Sequence, residues 1–191
     1  MRVLTIYSLR VLEMYGSMLE VAPPSSAVLA EYWGGPEAVR PHLSGDGPHE
    51  TLDYWERLRG ARAFPARTDF DPMALRHHLP SLFLLDAASD GNFYYRVVGA
   101  LISEYFGPGS PVGRTPDEIY GDQAEVALAP LRLVRDRRCL YMHASSARYI
   151  RHERNYVYYS LLLLPFGERD ARVDKIVGVV TFISEDEAAG L

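Results

Sequence analysis

Lysine and cysteine are nearly missing from this chain: Lys175 is the only lysine and Cys139 the only cysteine in 191 residues. A single cysteine excludes an intrachain disulfide, which makes a reducing cytoplasm the simplest compartment. With lysine gone, positive charge is almost all arginine. Alongside abundant alanine, glycine and proline this reads as a GC-rich coding bias, so arginine clusters carry little weight as sites. The formal charge of -5 and pI near 5.7 give no general attraction to nucleic acid or anionic lipid. No apolar run is long enough to span a bilayer. The apolar start Val3 to Leu9 is broken by Arg10 and Glu13, and no small-x-small cleavage site follows, which disfavours secretion. No phosphate-cradling glycine loop is present.

What is present is a core. The apolar share is 48%, enough for one globular domain plus an extension. Residues 1 to 20 carry a seam of Leu4, Tyr7, Val11, Met14 and Met18 spaced three and four apart. It reads as a dimerisation or capping helix, or as a marginal helix upstream of a start at Met14 or Met18. Residues 21 to 50 hold Pro23, Pro24, Gly34-Gly35, Pro36, Pro41 and Pro48, and are expected to be a linker. The expected division is an extension over 1 to 49, a compact domain over 50 to 184 and an acidic tail over 185 to 191.

Within the domain, Thr51 or Asp53 is expected to cap a helix running to Arg62, and Asp71-Pro72 to open a second helix ending before Pro80. Asp90-Gly91 marks a hairpin between two apolar runs. Short helices near 100 to 106 and 116 to 121 and a longer one over 122 to 137 precede strands near 139 to 147, 155 to 164 and 175 to 184. Both alternating phases are mostly apolar in Tyr156 to Leu164 and in Ile176 to Ile183. A strand with one wet face alternates, so both faces of this sheet need a cover. The inserted helices shelter one. The Thr51–Arg62 helix, the N-terminal seam or a second subunit covers the other, and a homodimer through that outer face is expected.

The motifs, in order, are Tyr54-Trp55, Arg59-Gly60-Ala61-Arg62, Pro65 to Pro72, Leu79-Pro80, Tyr95 to Gly99, Phe106-Gly107, Gly113-Arg114 and Leu162 to Pro165. This run, over about residues 50 to 184, resembles a bacterial PAS family once catalogued as a domain of unknown function. The resemblance implies an α+β fold: five antiparallel strands in spatial order 2-1-5-4-3, with helices inserted between strands 2 and 3, here behind an N-terminal helical extension. It also implies a sensory or regulatory module without known catalysis, and leaves the ligand open. With no kinase, cyclase or DNA-binding segment in the chain, output is expected through a signalling partner.

Candidate chemistry competes with structural duty. Asp69 and Asp71 precede His77 and His78, but Asp71 suits a helix cap and Arg62 or Arg67 can pair with Asp69, so neither a metal site nor an acid–base pair is expected. A small α+β enzyme using Asp69, Asp71 or His143 is the rival reading, and a ligand-free interaction scaffold the other. Cys139 opens a strand rather than sitting in the Asn-Cys-Arg-Phe-Leu segment of a flavin-adduct photoreceptor. His143 is the best axial haem candidate, but a lone strand histidine is more often structural. No catalytic residue, metal or cofactor is expected. The arginines at 132, 135, 137 and 138 suit a helix C-terminus. Arg96, mid-strand, either pairs with Asp69 or Asp86 or faces an anionic ligand. If a small molecule binds between sheet and helices, Tyr95, Arg96, Tyr105, His143 and Tyr158 are its expected contacts, among thirteen tyrosines suited to pocket walls.

Overall fold

In the computed structural model, residues 26–103, 110–148, 156–168, 172–184 and 186–187 are described. The expected seam over 1 to 20 and Tyr105 lie outside them. The chain forms an α+β domain around one antiparallel sheet. Six strands build it: β1 (Ser26–Gly34), β2 (Leu82–Ala87), β3 (Phe93–Val98), β4 (Leu140–Arg148), β5 (Tyr156–Glu168) and β6 (Arg172–Ile183), in the order β1-β4-β5-β6-β2-β3. Removing β1 leaves the expected 2-1-5-4-3 arrangement.

The sixth strand corrects the linker reading. Ser26–Gly34 pairs along β4, from Ser26↔Ala147 to Gly34↔Leu140. Its prolines and glycines bracket the strand rather than interrupt it, while Val28, Tyr32 and Trp33 have side chains that suit a pleated edge. Helix α1 (Pro36–Val39) follows.

Helix α2 runs over Asp46–Arg59, not from Thr51 to Arg62. Gly47 and Pro48 fall in its first turn, where a missing N–H costs nothing because those donors have no intrahelical acceptor. The expected helix after Asp71 is instead a pair of short 3-10 turns, Pro72–Leu75 and Leu79–Ser81, with Asp71 capping as expected by accepting from the Met73 N–H at 2.9 Å. The Asp90-Gly91 turn connects β2 and β3, and Asp90 accepts from the Asn92 N–H at 2.9 Å. Helices α3 (Ala100–Ser103), α4 (Pro116–Tyr120) and α5 (Ala124–Arg137) intervene between β3 and β4.

Both sheet faces are covered, and the register shows by what. On the outer face Leu162 opposes Val179 and Phe166 opposes Lys175. Phe70 packs edge-on against Phe166, and the Lys175 ammonium sits over the Phe70 ring. α2 lies on this side, where Gly45, just before it, approaches the Thr181 methyl and the Trp55 indole N–H donates to the Pro165 carbonyl at 2.8 Å. The inner face carries Phe83, Tyr95, Leu163 and Gly178 under α4 and α5. Gly178 lies directly beneath the Phe83 ring, where a Cβ would come within 2.0 Å of it. The cover for the second face thus comes from the same chain.

Candidate functional site

The inner face combines aromatic bulk with polar atoms. β4 and β5 pair Tyr141↔Leu163, His143↔Leu161 and Ser145↔Tyr159, so Tyr141, His143, Ser145 and Tyr159 share one side. The His143 imidazole meets the Tyr141 and Tyr159 rings edge-on, with centroids 5.5 and 5.8 Å away. Tyr159 is hydrogen-bonded to Ser145.

Two further elements complete the cluster. Tyr95 reaches it from β3, and its hydroxyl lies 3.4 Å from that of Tyr120 on α4. The loop before α4 is held on β3 by backbone bonds, the Tyr95 N–H donating to the Arg114 carbonyl and the Gly113 N–H to the Tyr95 carbonyl. Gly113, at φ +86°, takes a left-handed conformation that a side chain would strain. Thr115 and Glu118 then form a capping box: Thr115 Oγ1 accepts from the Glu118 N–H and Glu118 Oε2 from the Thr115 N–H. That box fixes where α4 begins, and so where Tyr120 projects. α5 closes the same side, with its Arg135 guanidinium over the Phe93 ring. From the opposite edge β1 contributes Glu31, which accepts from the Tyr141 hydroxyl at 3.0 Å.

Electrostatics set His143 apart. It is 5% exposed, and neither Nδ1 nor Nε2 has a hydrogen-bond partner among the described residues. Burial holds its pKa down at about 4, so the imidazole is neutral at pH 7. Burial also pushes Tyr95 up to about 12, and raises Tyr120, Tyr141 and Tyr159 above the ordinary tyrosine value. All four phenols therefore stay protonated. Beside the Glu31 carboxylate, the four phenols and the imidazole are neutral donors and acceptors in an apolar surround.

Of the expected contacts, the fold brings Tyr95 and His143 onto this face. Arg96 and Tyr158 lie on the other. Arg96 donates through Nε to Asp86 at 2.7 Å, and Asp86 shares the outer face with Lys175. Plain alternation already turns Arg96 away from its neighbour Tyr95, and a bulge in β3, where Tyr95 and Val97 oppose consecutive residues of β2, puts Val97 on the outer side as well. Tyr158 packs with Ala144 and Ile183. Tyr120, Tyr141, Tyr159 and Glu31 went unnoticed in the sequence, although Thr115-x-x-Glu118 is a legible capping signature and alternation places Tyr141 beside His143.

Asp69, Asp71 and His143 do not converge. Asp69 accepts from Arg62 at 2.7 Å and from the Ala66 N–H, and both bonds hold its carboxyl below the usual range. Asp71 caps its turn, and both aspartates lie with the outer cover, across the sheet from His143. His78 pairs with Glu50 at 2.7 Å, and no group of three metal-ligating side chains occurs among the described residues. Cys139 sits just before β4, half-buried, its thiol pKa raised by burial.

The recognisable motifs turn out to be scaffold. Trp55 joins the Tyr-Trp helix to Pro165, Tyr54 accepts from the Asp71 N–H at 2.8 Å, and Arg62 joins the Arg-Gly-x-Arg step to Asp69. A family model described as a PAS domain matches residues 46–181, more than half of the chain. The chain belongs to the PAS domain family. No curated protein matches it. Among solved structures this PAS domain is similar to the light-state LOV domain of the blue-light photoreceptor Aureochrome1, at 16% identity and a TM-score of 0.46, over 62% of this chain and 92% of that one. It is also similar to an RNA-binding light-oxygen-voltage receptor, at 21% identity and a TM-score of 0.38, covering 57% of this chain and 32% of the receptor. A sensory or regulatory role follows from family membership. No helix among the described residues is long and apolar enough to cross a membrane.

Proposed function

We propose that this PAS domain is a non-catalytic regulatory module of the cytoplasm. It acts through protein–protein contacts, and a small molecule held between the sheet and helices α4 and α5 biases those contacts. The observation that carries this reading is His143, a buried imidazole inside a tyrosine cluster whose two nitrogens have no partner among the described residues. A buried polar group without a partner costs about 1–3 kcal/mol, which a core serving stability alone would avoid by placing an apolar side chain there. Tyr95, Tyr120, Tyr141 and Tyr159 are the proposed walls.

The protein partners are a signalling protein and a second copy of the chain. Support for self-association is the outer edge of β1, where Val28, Leu29 and Trp33 are exposed and no strand pairs among the described residues. With a net charge of -5, nucleic acid and membrane surfaces are not proposed partners. The test is native mass spectrometry of the purified protein, before and after exposure to a metabolite extract. A small molecule released on denaturation of wild type, and lost in a folded His143→Phe variant, is the expected result. An empty protein whose thermal midpoint no extract fraction shifts would leave only the scaffold.

A further inference from the structure

The same cluster limits what its guest can be, and this step rests on the pocket reading above. Two charged side chains shown beside the cluster are already engaged. Glu31 accepts from Tyr141, and Arg135 lies over Phe93 while bonding to Asp136 and the Gly91 carbonyl. An anion would therefore enter an apolar site beside a cation, Arg135, that is already engaged. A cation would have to take Glu31 from Tyr141. Either change leaves a poorly compensated buried charge, which is costly. Neutral imidazole instead presents one donor and one acceptor, and each needs its complement.

Access narrows the choice further. Tyr95, Tyr141, His143 and Ser145 are all buried, whereas Tyr120 is 37% exposed on the five-residue helix α4. Its hydroxyl end is buried beside Tyr95, but of these residues it is the one at the surface, and an outward rotation of its side chain would open the cluster. A flat molecule then meets tyrosine and histidine rings, for which ring contacts are favourable. We propose that the guest is an uncharged aromatic compound carrying both a hydrogen-bond donor and an acceptor, such as a primary aromatic amide, which displaces Tyr120 and pairs with His143.

Benzamide, benzoate and benzylammonium are near-isosteric and differ in charge, so they test this directly. Each is titrated into the full-length protein while the imidazole resonances of His143 are followed by NMR. Benzamide is expected to shift those resonances and to bind at least ~10-fold tighter than either ion, about the penalty of one poorly compensated interaction. His143→Phe should lose that binding and His143→Gln, which keeps a donor and an acceptor, should retain part of it. Tyr120→Ala should bind benzamide more tightly. Equal binding of the three, or preference for an ion, with His143 resonances shifting, would overturn the ligand class and leave the pocket standing. If no probe moves His143 in wild type or in Tyr120→Ala, the ligand class and the pocket reading fall together.

Discussion

The two faces of the sheet are built from alternate residues of the same strands, yet they are composed differently. The outer face pairs Leu162 with Val179 and Leu164 with Val177 beneath α2, its buried polar side chains are small ones such as Ser160, and the Trp55 indole N–H finds the Pro165 carbonyl. The inner face spends its buried positions on Tyr95, Tyr141, His143 and Ser145. Hydrophobic burial is non-directional and tolerates almost any apolar filling, whereas a buried imidazole without partners is a net cost. One face stabilises the domain. The other carries a buried imidazole at some cost in stability.

The sharpest way to break that contrast is a charge on each face in turn. Val179 is buried under α2 while the adjacent Val180 points the other way and is only partly buried. Val179→Asp should cost more than about 4 kcal/mol and abolish the cooperative thermal transition seen by circular dichroism. Val180→Asp should cost visibly less, and equal damage at the two positions would erase the distinction.

Next in size is the anchor of the outer cover. Trp55→Ala should cost roughly 3–5 kcal/mol in urea unfolding, and Trp55→Phe about 1–2 kcal/mol through loss of the bond to Pro165.

His143 should respond in the opposite sense. At pH 7 a His143→Phe variant should equal or exceed wild type in stability, because an unpaired polar group is removed. Its pH dependence follows from the depressed pKa. Between about 4 in the folded protein and the ordinary value of 6.5, the unfolded chain binds more protons, so stability falls as pH falls. Full stability is present above pH 6.5, and roughly 3 kcal/mol is lost on descending to pH 4, at about 1.4 kcal/mol per pKa unit. Urea titrations of wild type and variant across that window measure the difference. A wild-type slope that persists in His143→Phe would assign it to other groups.

The smallest expected effect is at Arg96. Its side chain is about half exposed and pairs with Asp86 at the sheet edge. Arg96→Ala should cost under about 1 kcal/mol and leave benzamide binding unchanged. Loss of binding would return Arg96 to the ligand side.

Much of the fold was legible locally. Apolar residues in both phases of β5 and β6 implied two covers, Asp71 announced its cap, and the Asp90-Gly91 turn fixed the β2–β3 hairpin. Ser26–Gly34 was missed because flanking prolines and glycines dominate its window, and because an edge strand takes its stability from its neighbour β4 rather than from its own sequence. The site was half legible. Tyr95 and His143 stood out as unusual residues on strands, whereas Arg96, the neighbour of Tyr95, falls on the opposite face by plain alternation and pairs there with Asp86.

By itself, the sequence determined what depends on nearest neighbours and on burial: the five strands of the domain, the Asp90-Gly91 turn, the Asp71 cap, the need to shelter both faces, and the motif order of the PAS family. Only the tertiary structure decided which tyrosines face His143, that Glu31 joins them from β1, and that the imidazole lacks a partner among the described residues. Those outcomes depend on strand register, where a shift of one residue exchanges the faces, and register is set by contacts between residues far apart in the chain.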